Sequence, residues 1–388
     1  MKILSASAVV FIFSITAFNP SALPENRNKF STTHTITGKE PKIQVAILLD
    51  VSGSMSGLIE QAKAQLWNMV SVMGRAKCEN GNPKIEIALY IYGQSEKGVN
   101  NDFIKQVTPF SSDLDQLSQE LFRLTTTGSD EYCGKVIYTS LNELGWDTNS
   151  SNYKVIFIAG NESFLQGDIV YTKACDEANK KGVIVNTIFC GDRLEGIKEH
   201  WNLNGECGNG SYTNINQDAK LEDIVTPYDS TLFALNNKLN GTYIFYGNKG
   251  EAKLKAQTRV DELNYGFNTS VAAKRVVAKS KSNVYRNGGW DFGDAYASDS
   301  TFIEKVDIKT LPDSLKNKSR TELKQIVVAK NYERGLIQKE IATTNTQREV
   351  YIAAERAKAA TSNHAATLET EVEKIIKDQV KRFNMIIE

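Results

Sequence analysis

A doubly wound α/β sheet, mostly parallel and followed by an α-helical C-terminal extension, is the fold class that three features of the sequence predict. Ile43–Leu49, Tyr153–Ala159 and Val183–Phe189 are short, rich in β-branched residues and almost continuously apolar, the pattern of parallel strands buried on both faces. Between them run segments whose apolar residues recur every three or four positions, as in Leu58, Ile59, Ala62, Leu66, Met69, Val70 and Met73. Beyond about residue 240 the alternation stops and helical spacing dominates. Strands and helices alternating at these lengths call for right-handed crossovers covering both faces of one Rossmann-like sheet.

Taken in order, residues 1–22 carry one lysine, an apolar stretch through Ile15 and small residues up to Ala22, which predicts a signal peptide cleaved there. Residues 23–41 are polar and predict a flexible leader. After the first strand and helix, Ile85–Tyr92 alternates like a strand, and Phe103–Phe110 predicts an edge strand tolerating Pro109. Asp113 is placed to cap a helix through Leu114, Leu117, Leu121 and Leu124. Val136, Ile137, Leu141 and Leu144 mark another helix, Ile169–Lys181 a third, and Ser211–Ile215 a short strand before a helix ending near Leu239. The sheet domain therefore spans 42–240. Residues 241–318 read as a linker region of irregular and helical character, with one helix over Leu254–Lys281 and a loop whose Trp290 and Phe292 are expected to be exposed. In 319–388, Ser319 and Glu322 form a capping box opening a helix with the stripe Leu323, Ile326, Val327, Leu336, Ile337 and Ile341. A second helix carries Val372, Ile375, Ile376, Val380 and Phe383, and the two together predict a helical hairpin or coiled coil.

The junction between the first strand and the first helix carries the chemistry. Asp50, Ser52 and Ser54 set a carboxylate and two hydroxyls at alternate positions on a tight turn, at the strand end where such sheets bind ligands. Hard oxygen donors so grouped suit Mg²⁺ first, with Ca²⁺ or Mn²⁺ as alternatives. The other reading of the turn is a helix N-cap supplied by Ser54 or Ser56. The stretch VAILLDVSGSMSGLIEQAK resembles the first strand, metal loop and first helix of von Willebrand factor type A (VWA) domains, here of an exported bacterial type, and the resemblance extends over about 42–240.

That resemblance implies a metal-ion-dependent adhesion site (MIDAS) in which Asp50, Ser52 and Ser54 are joined by a threonine of a second loop and an aspartate of a third. One position is left for an acidic residue of a protein partner. The sequence departs from the pattern in both later loops. Aligning the second loop on Gly134 puts Glu131 in the threonine's place, with Thr127 the nearest hydroxyl. The third loop reads Ala159-Gly160-Asn161-Glu162, so Asn161 or Glu162 replaces the aspartate. One carboxylate lost and one gained would keep about two negative charges beside the ion. A directly bound Glu131 would also fill a coordination position and offset the metal charge that attracts a partner's carboxylate, so partner binding through the metal is expected to weaken.

Lysine plus arginine and aspartate plus glutamate number 46 each, a balance without the basic excess of a nucleic-acid binder. His34, His200 and His364 fit no Ser/His/Asp order and no HExxH spacing, so an enzyme is not expected. Of Cys78, Cys133, Cys175, Cys190 and Cys207, the pair flanking a short loop, Cys190 and Cys207, is expected to form a disulfide. The expectation is an exported, periplasmic or extracellular, non-enzymatic adhesion or protein-interaction module, with no transmembrane segment after signal cleavage. The alternative is a metal-free structural or envelope-assembly module that binds partners, or itself, through the C-terminal helices.

Overall fold

The computed structural model describes residues 41–79, 81–94, 103–128, 130–219, 223–359 and 368–387. The predicted signal peptide and all of the leader but its last residue, with His34 and His364, lie outside these. The elements in chain order are β1 (Lys42–Asp50), α1 (Ser56–Met73), β2 (Ala76–Lys77), β3 (Lys84–Tyr92), β4 (Ile104–Ser111), α2 (Leu114–Arg123), α3 (Cys133–Glu143), β5 (Tyr153–Gly160), α4 (Tyr171–Lys181), β6 (Ile184–Cys190), α5 (Arg193–Lys198) and β7 (Tyr212–Ile215). There follow α6 (Asp229–Asn240), α7 (Gly250–Phe267), α8 (Thr269–Lys279), α9 (Phe292–Ser298), α10 (Phe302–Lys305), α11 (Arg320–Ala359), α12 (Leu368–Gln379) and β8 (Ile386–Ile387).

One sheet runs in the order β4-β3-β1-β5-β6-β7, parallel except for β4, which pairs antiparallel to β3 at the edge. This is the doubly wound, mostly parallel class the sequence predicts. Alternate residues of β1 go to opposite faces. Ile43, Val45, Ile47 and Leu49 pack with α1 and α12, whereas Ala46 and Leu48 pack with α3 and α4. Burial on both faces explains why β1 reads as a continuous apolar run. The chain moves outward from β1 in both directions, to β3 on one side and β5 on the other. Strand order therefore reverses at β1, and the crevice beyond Asp50 is where this topology places a ligand.

The structure departs from the sequence reading in four places. The helix expected over Leu254–Lys281 is two helices, broken at Asn268, whose extended backbone ends α7 and whose side chain caps α8 by accepting from Val271 N. Phe292 is wholly buried rather than exposed, because Asp291 turns the loop inward by accepting from Ile244 N at 2.8 Å and Asp294 N at 2.9 Å. The capping box at Ser319 and Glu322 forms as expected, with Ser319 N donating to Glu322 at 2.8 Å and Glu322 N to Ser319 Oγ at 3.2 Å. The two helices beyond it, however, do not zip together as a hairpin. Leu323, Val327, Ile337 and Ile341 of α11 enter clusters with α6, α8 and α9, while Val372, Ile375 and Ile376 of α12 enter the sheet core beside α1. Leu336 falls outside the buried seam and is exposed. Among the described residues no helix is long and apolar enough to cross a membrane.

The fourth correction is the disulfide, which joins Cys175 to Cys207. Cys175 and Cys207 share the α3/α4 face, whereas Cys190 lies buried in the cluster on the α1/α12 face, so the sheet itself separates Cys190 from Cys207. Closing a loop with a sequence separation of 32 is worth roughly 3–4 kcal/mol of unfolding free energy in the chain-entropy account. Urea denaturation of Cys207→Ser should show a loss of that order, while Cys190→Ser should keep the disulfide by thiol titration. An unchanged thiol count in Cys207→Ser would contradict the pairing.

Candidate metal centre

Asp50 is the last residue of β1 and is completely buried. Its Oδ1 accepts from Ser52 N at 2.7 Å, folding the turn back over the strand end, and Val51 N bonds Tyr92 O of the neighbouring strand at 2.9 Å. Ser52 is buried with it, and its hydroxyl lies 3.5 Å from that of Ser54. Helix α1 starts from Met55 with no side-chain cap, so neither Ser54 nor Ser56 is occupied as an N-cap.

The second and third loops close on this turn. Thr127 N donates to Val51 O at 2.8 Å and Gly53 N to Gly128 O at 3.3 Å, which brings Glu131 in from the side. Glu131 is 2% exposed, and its backbone N–H is held by Gln166 Oε1 at 3.3 Å. From the third loop Asn161 Nδ2 donates to Ser54 Oγ at 3.4 Å. Two glycines permit this approach. A Cβ at Gly93 would lie 2.8 Å from Asp50 Oδ1 and 3.1 Å from Glu131 Cγ, and one at Gly160 would lie 2.5 Å from the Tyr92 hydroxyl and 3.0 Å from Asp50 Oδ2. Gly93 also has φ +84°, a conformation that disfavours any side chain.

The electrostatics of the group are unbalanced. Asp50 Oδ2, Glu131 Oε2 and Asn161 Oδ1 are all buried and none has a hydrogen-bond donor. Burial pushes the Asp50 carboxyl up to about 6 against the opposing bonds from Ser52, with the Glu162 charge adding to the rise. Burial and then the Asp50 charge push Glu131 up to about 8. Buried acceptors without donors are costly. Three on converging loops, two of them carboxylates of which Asp50 raises Glu131, fit a hard cation in the gap. Asp50, Ser52, Ser54, Glu131 and Asn161 are the residues that would hold it. Among the described residues no three His, Cys, Asp or Glu side chains form a metal-holding cluster by themselves, so hydroxyl and amide oxygens would have to complete this set.

Two candidates stand apart from the group. Thr127 is exposed and its hydroxyl accepts from Gln94 Nε2 at 3.2 Å, so its contribution is the backbone tether to Val51. Glu162 is exposed as well, with its carbonyl accepting from Trp201 Nε1 at 2.7 Å, and acts on Asp50 and Glu131 as a repelling charge. Sequence reasoning missed Gly93, Gly160, Tyr92 and Gln166. The signal for the glycines was present, since each ends or follows a strand beside β1. Tyr92, whose hydroxyl donates to Ala159 O at 2.8 Å beneath the site, reads as an ordinary strand residue.

No family model matches the chain, and no curated protein matches it. Among solved structures it is similar to the SpRpn10 VWA domain, at 13% identity and TM-score 0.35, over 46% of this chain and 91% of that one. It is also similar to proximal thread matrix protein 1 from the mussel byssus with a zinc-occupied MIDAS motif (12%, TM-score 0.33, 45% and 42%) and to a von Willebrand factor type A protein from Catenulispora acidiphila (12%, TM-score 0.32, 45% and 39%). The chain spans less than half the length of the mussel and Catenulispora proteins.

In calorimetry with Mg²⁺ or Mn²⁺, Glu131→Ala should abolish binding while Thr127→Ala leaves it nearly intact; equal loss in both would refute Glu131 as the second-loop ligand. The raised carboxyls also set a pH dependence for chelated protein. Because folding holds protons on Asp50 and Glu131 that the unfolded chain releases near pH 4, stability falls as pH rises from about 4 to about 8. Glu131→Gln removes one of those ionisations, so in chelator its stability relative to wild type should rise between pH 5 and 8.5 in urea titrations. A constant difference would contradict the burial of a strained carboxylate there.

Proposed function

We propose that the chain is a VWA-type interaction module whose crest is organised by a divalent cation, Mg²⁺ first, with Ca²⁺ or Mn²⁺ as alternatives. The observation that carries this reading is the convergence of three buried, unpartnered oxygens from three separate loops, on Asp50, Glu131 and Asn161. The ion would supply positive charge to a cluster that otherwise repels itself and would draw the three loops into one arrangement. The partner is a protein. Because Glu131 brings a second carboxylate to the cation, coordination by an acidic residue of the partner is weaker in this chain than the VWA pattern implies, and the ion's main role is to order the docking loops.

The module works without catalysis, in the periplasm or outside the cell. This is supported by the signal-like pattern of residues 1–22 and by the placement of His34, His200 and His364, which fit no Ser/His/Asp order and no HExxH spacing. A second reading, attachment or self-association through the C-terminal helices, is favoured by one observation. Val328, Tyr332 and Leu336 recur at four-residue spacing on α11 and are exposed, one face of a 40-residue helix.

Thermal unfolding separates the two. Metal at a hundred times its dissociation constant should stabilise the fold by about 2.7 kcal/mol through linkage, and Asp50→Asn should lose that response. A melting curve indifferent to Mg²⁺, Ca²⁺ and Mn²⁺ would leave the second reading in its place.

A further inference from the structure

The rim of the crest carries an apolar surface that none of the described residues covers. Leu165 is 48% exposed, Val170 63%, Leu194 74% and Ile197 39%. These are four of the eleven large apolar side chains exposed among the described residues, and all four lie on two segments, 161–170 and 193–206. The segments adjoin. Phe164 N donates to Glu199 O at 2.9 Å, Trp201 Nε1 donates to Glu162 O at 2.7 Å, and the buried Phe164 and Trp201 rings meet edge to face at 5.2 Å. With Phe164 and Trp201 anchoring the loops from inside, Leu165, Leu194 and Ile197 are left facing outward. Gln166, between Leu165 and Val170, accepts from Glu131 N, so the patch is continuous with the candidate metal centre. Apolar residues concentrated this way mark a contact surface, whereas single ones scattered over a protein do not.

Charge selects what covers it. Around the patch stand the exposed acids Asp130, Glu162, Asp168, Asp192 and Glu195, against the bases Lys135, Lys173, Arg193 and Lys198. Lys135 lies 3.4 Å from Asp168, and the Arg193 guanidinium lies 5.1 Å over the Tyr212 ring. Five acids against four bases leave a rim with an acidic excess of one, and Asp50 and Glu131 beneath it would be neutralised by one divalent ion without reversing its sign. An acidic partner meets repulsion here.

We propose that the crest docks a basic, apolar protein segment, in which leucine-like side chains rest on Leu165, Val170 and Leu194 while neighbouring lysines or arginines meet Glu162 and Glu195. This rests on the reading of the crest as a metal-ordered interaction site and names its partner's chemistry. Such an interface weakens as salt rises, because its charge pairs are solvent-exposed.

The test uses Mg²⁺-saturated full chain and a labelled amphipathic helical peptide of leucine and lysine, with the same peptide carrying glutamate for lysine as its counterpart, read by fluorescence anisotropy. The lysine peptide should bind at least tenfold more tightly than the glutamate peptide. Leu165→Ser with Leu194→Ser should weaken it at least fivefold, Glu162→Gln with Glu195→Gln should weaken it and flatten its salt dependence, and Val225→Ser, at an exposed apolar residue elsewhere, should change nothing. Tighter binding of the glutamate peptide, lost on chelation, overturns the proposal in favour of acid coordination at the metal. Equal binding by wild type and the Leu165/Leu194 variant overturns it in favour of non-specific adsorption. Mg²⁺ calorimetry without peptide reads the metal site separately: no heat from wild type sinks the metal reading and this proposal with it, whereas normal heat with no patch dependence sinks the proposal alone.

Discussion

Two carboxylates buried side by side at the end of the central strand dominate the physics of this molecule. Asp50 is placed by β1 and Glu131 by the loop leading into α3, and a protein without a counter-charge would normally expose one of them. Here the backbone forbids it. The glycines at 93 and 160 let neighbouring strands press against both side chains, and the tethers from Thr127 to Val51 and from Gly53 to Gly128 hold the second loop down. The strain is concentrated at the point where strand order reverses, which is where the sheet leaves a crevice in any case. In the proposed reading a cation completes the crest.

The rest of the chain holds that crest still. Arg275 of α8 is buried against Asp115 of α2 at 2.8 Å and Asp261 of α7 at 2.7 Å, and its guanidinium lies 4.5 Å over the Trp67 ring of α1. Lys279 adds a bond to Asp261 at 2.6 Å, and opposing charges hold the Asp261 carboxyl well below the usual carboxylate range despite its burial. Breaking one member of such a group leaves a buried charge uncompensated, which costs far more than the intact group contributes. Together with α12 lying on α1, and β8 pairing with β2, the network makes the C-terminal segment part of the sheet's scaffold.

The sheet and the turn at Asp50–Ser54 were legible because their causes are local. Burial on both faces makes a parallel strand apolar throughout, and a DxSxS turn needs only five consecutive residues. Glu131 was reachable by aligning on Gly134, a glycine whose Cβ would strike Ile169 O at 2.3 Å. What stayed illegible depends on partners far along the chain. The apolar stripes of α11 and α12 say that each helix buries a face but not against what, and they chose different cores. Cys207 found Cys175 rather than Cys190 because strand β6 turns Cys190 to the opposite side of the sheet. The distinction between Asn161, which points its amide at Ser54, and Glu162, which stays in solvent, turns on a single step of backbone direction after Gly160 that no spacing rule encodes.

The central claim is that one cation binds among oxygens of all three loops, with Glu131 among its ligands. Anomalous diffraction from crystals soaked in Mn²⁺ tests it most directly. The account predicts a single strong peak at the crest, about 2–2.5 Å from oxygens of Asp50, Ser52 or Ser54 and of the Glu131 carboxylate. A crest without a peak, or a peak that Glu131 does not reach, would contradict it.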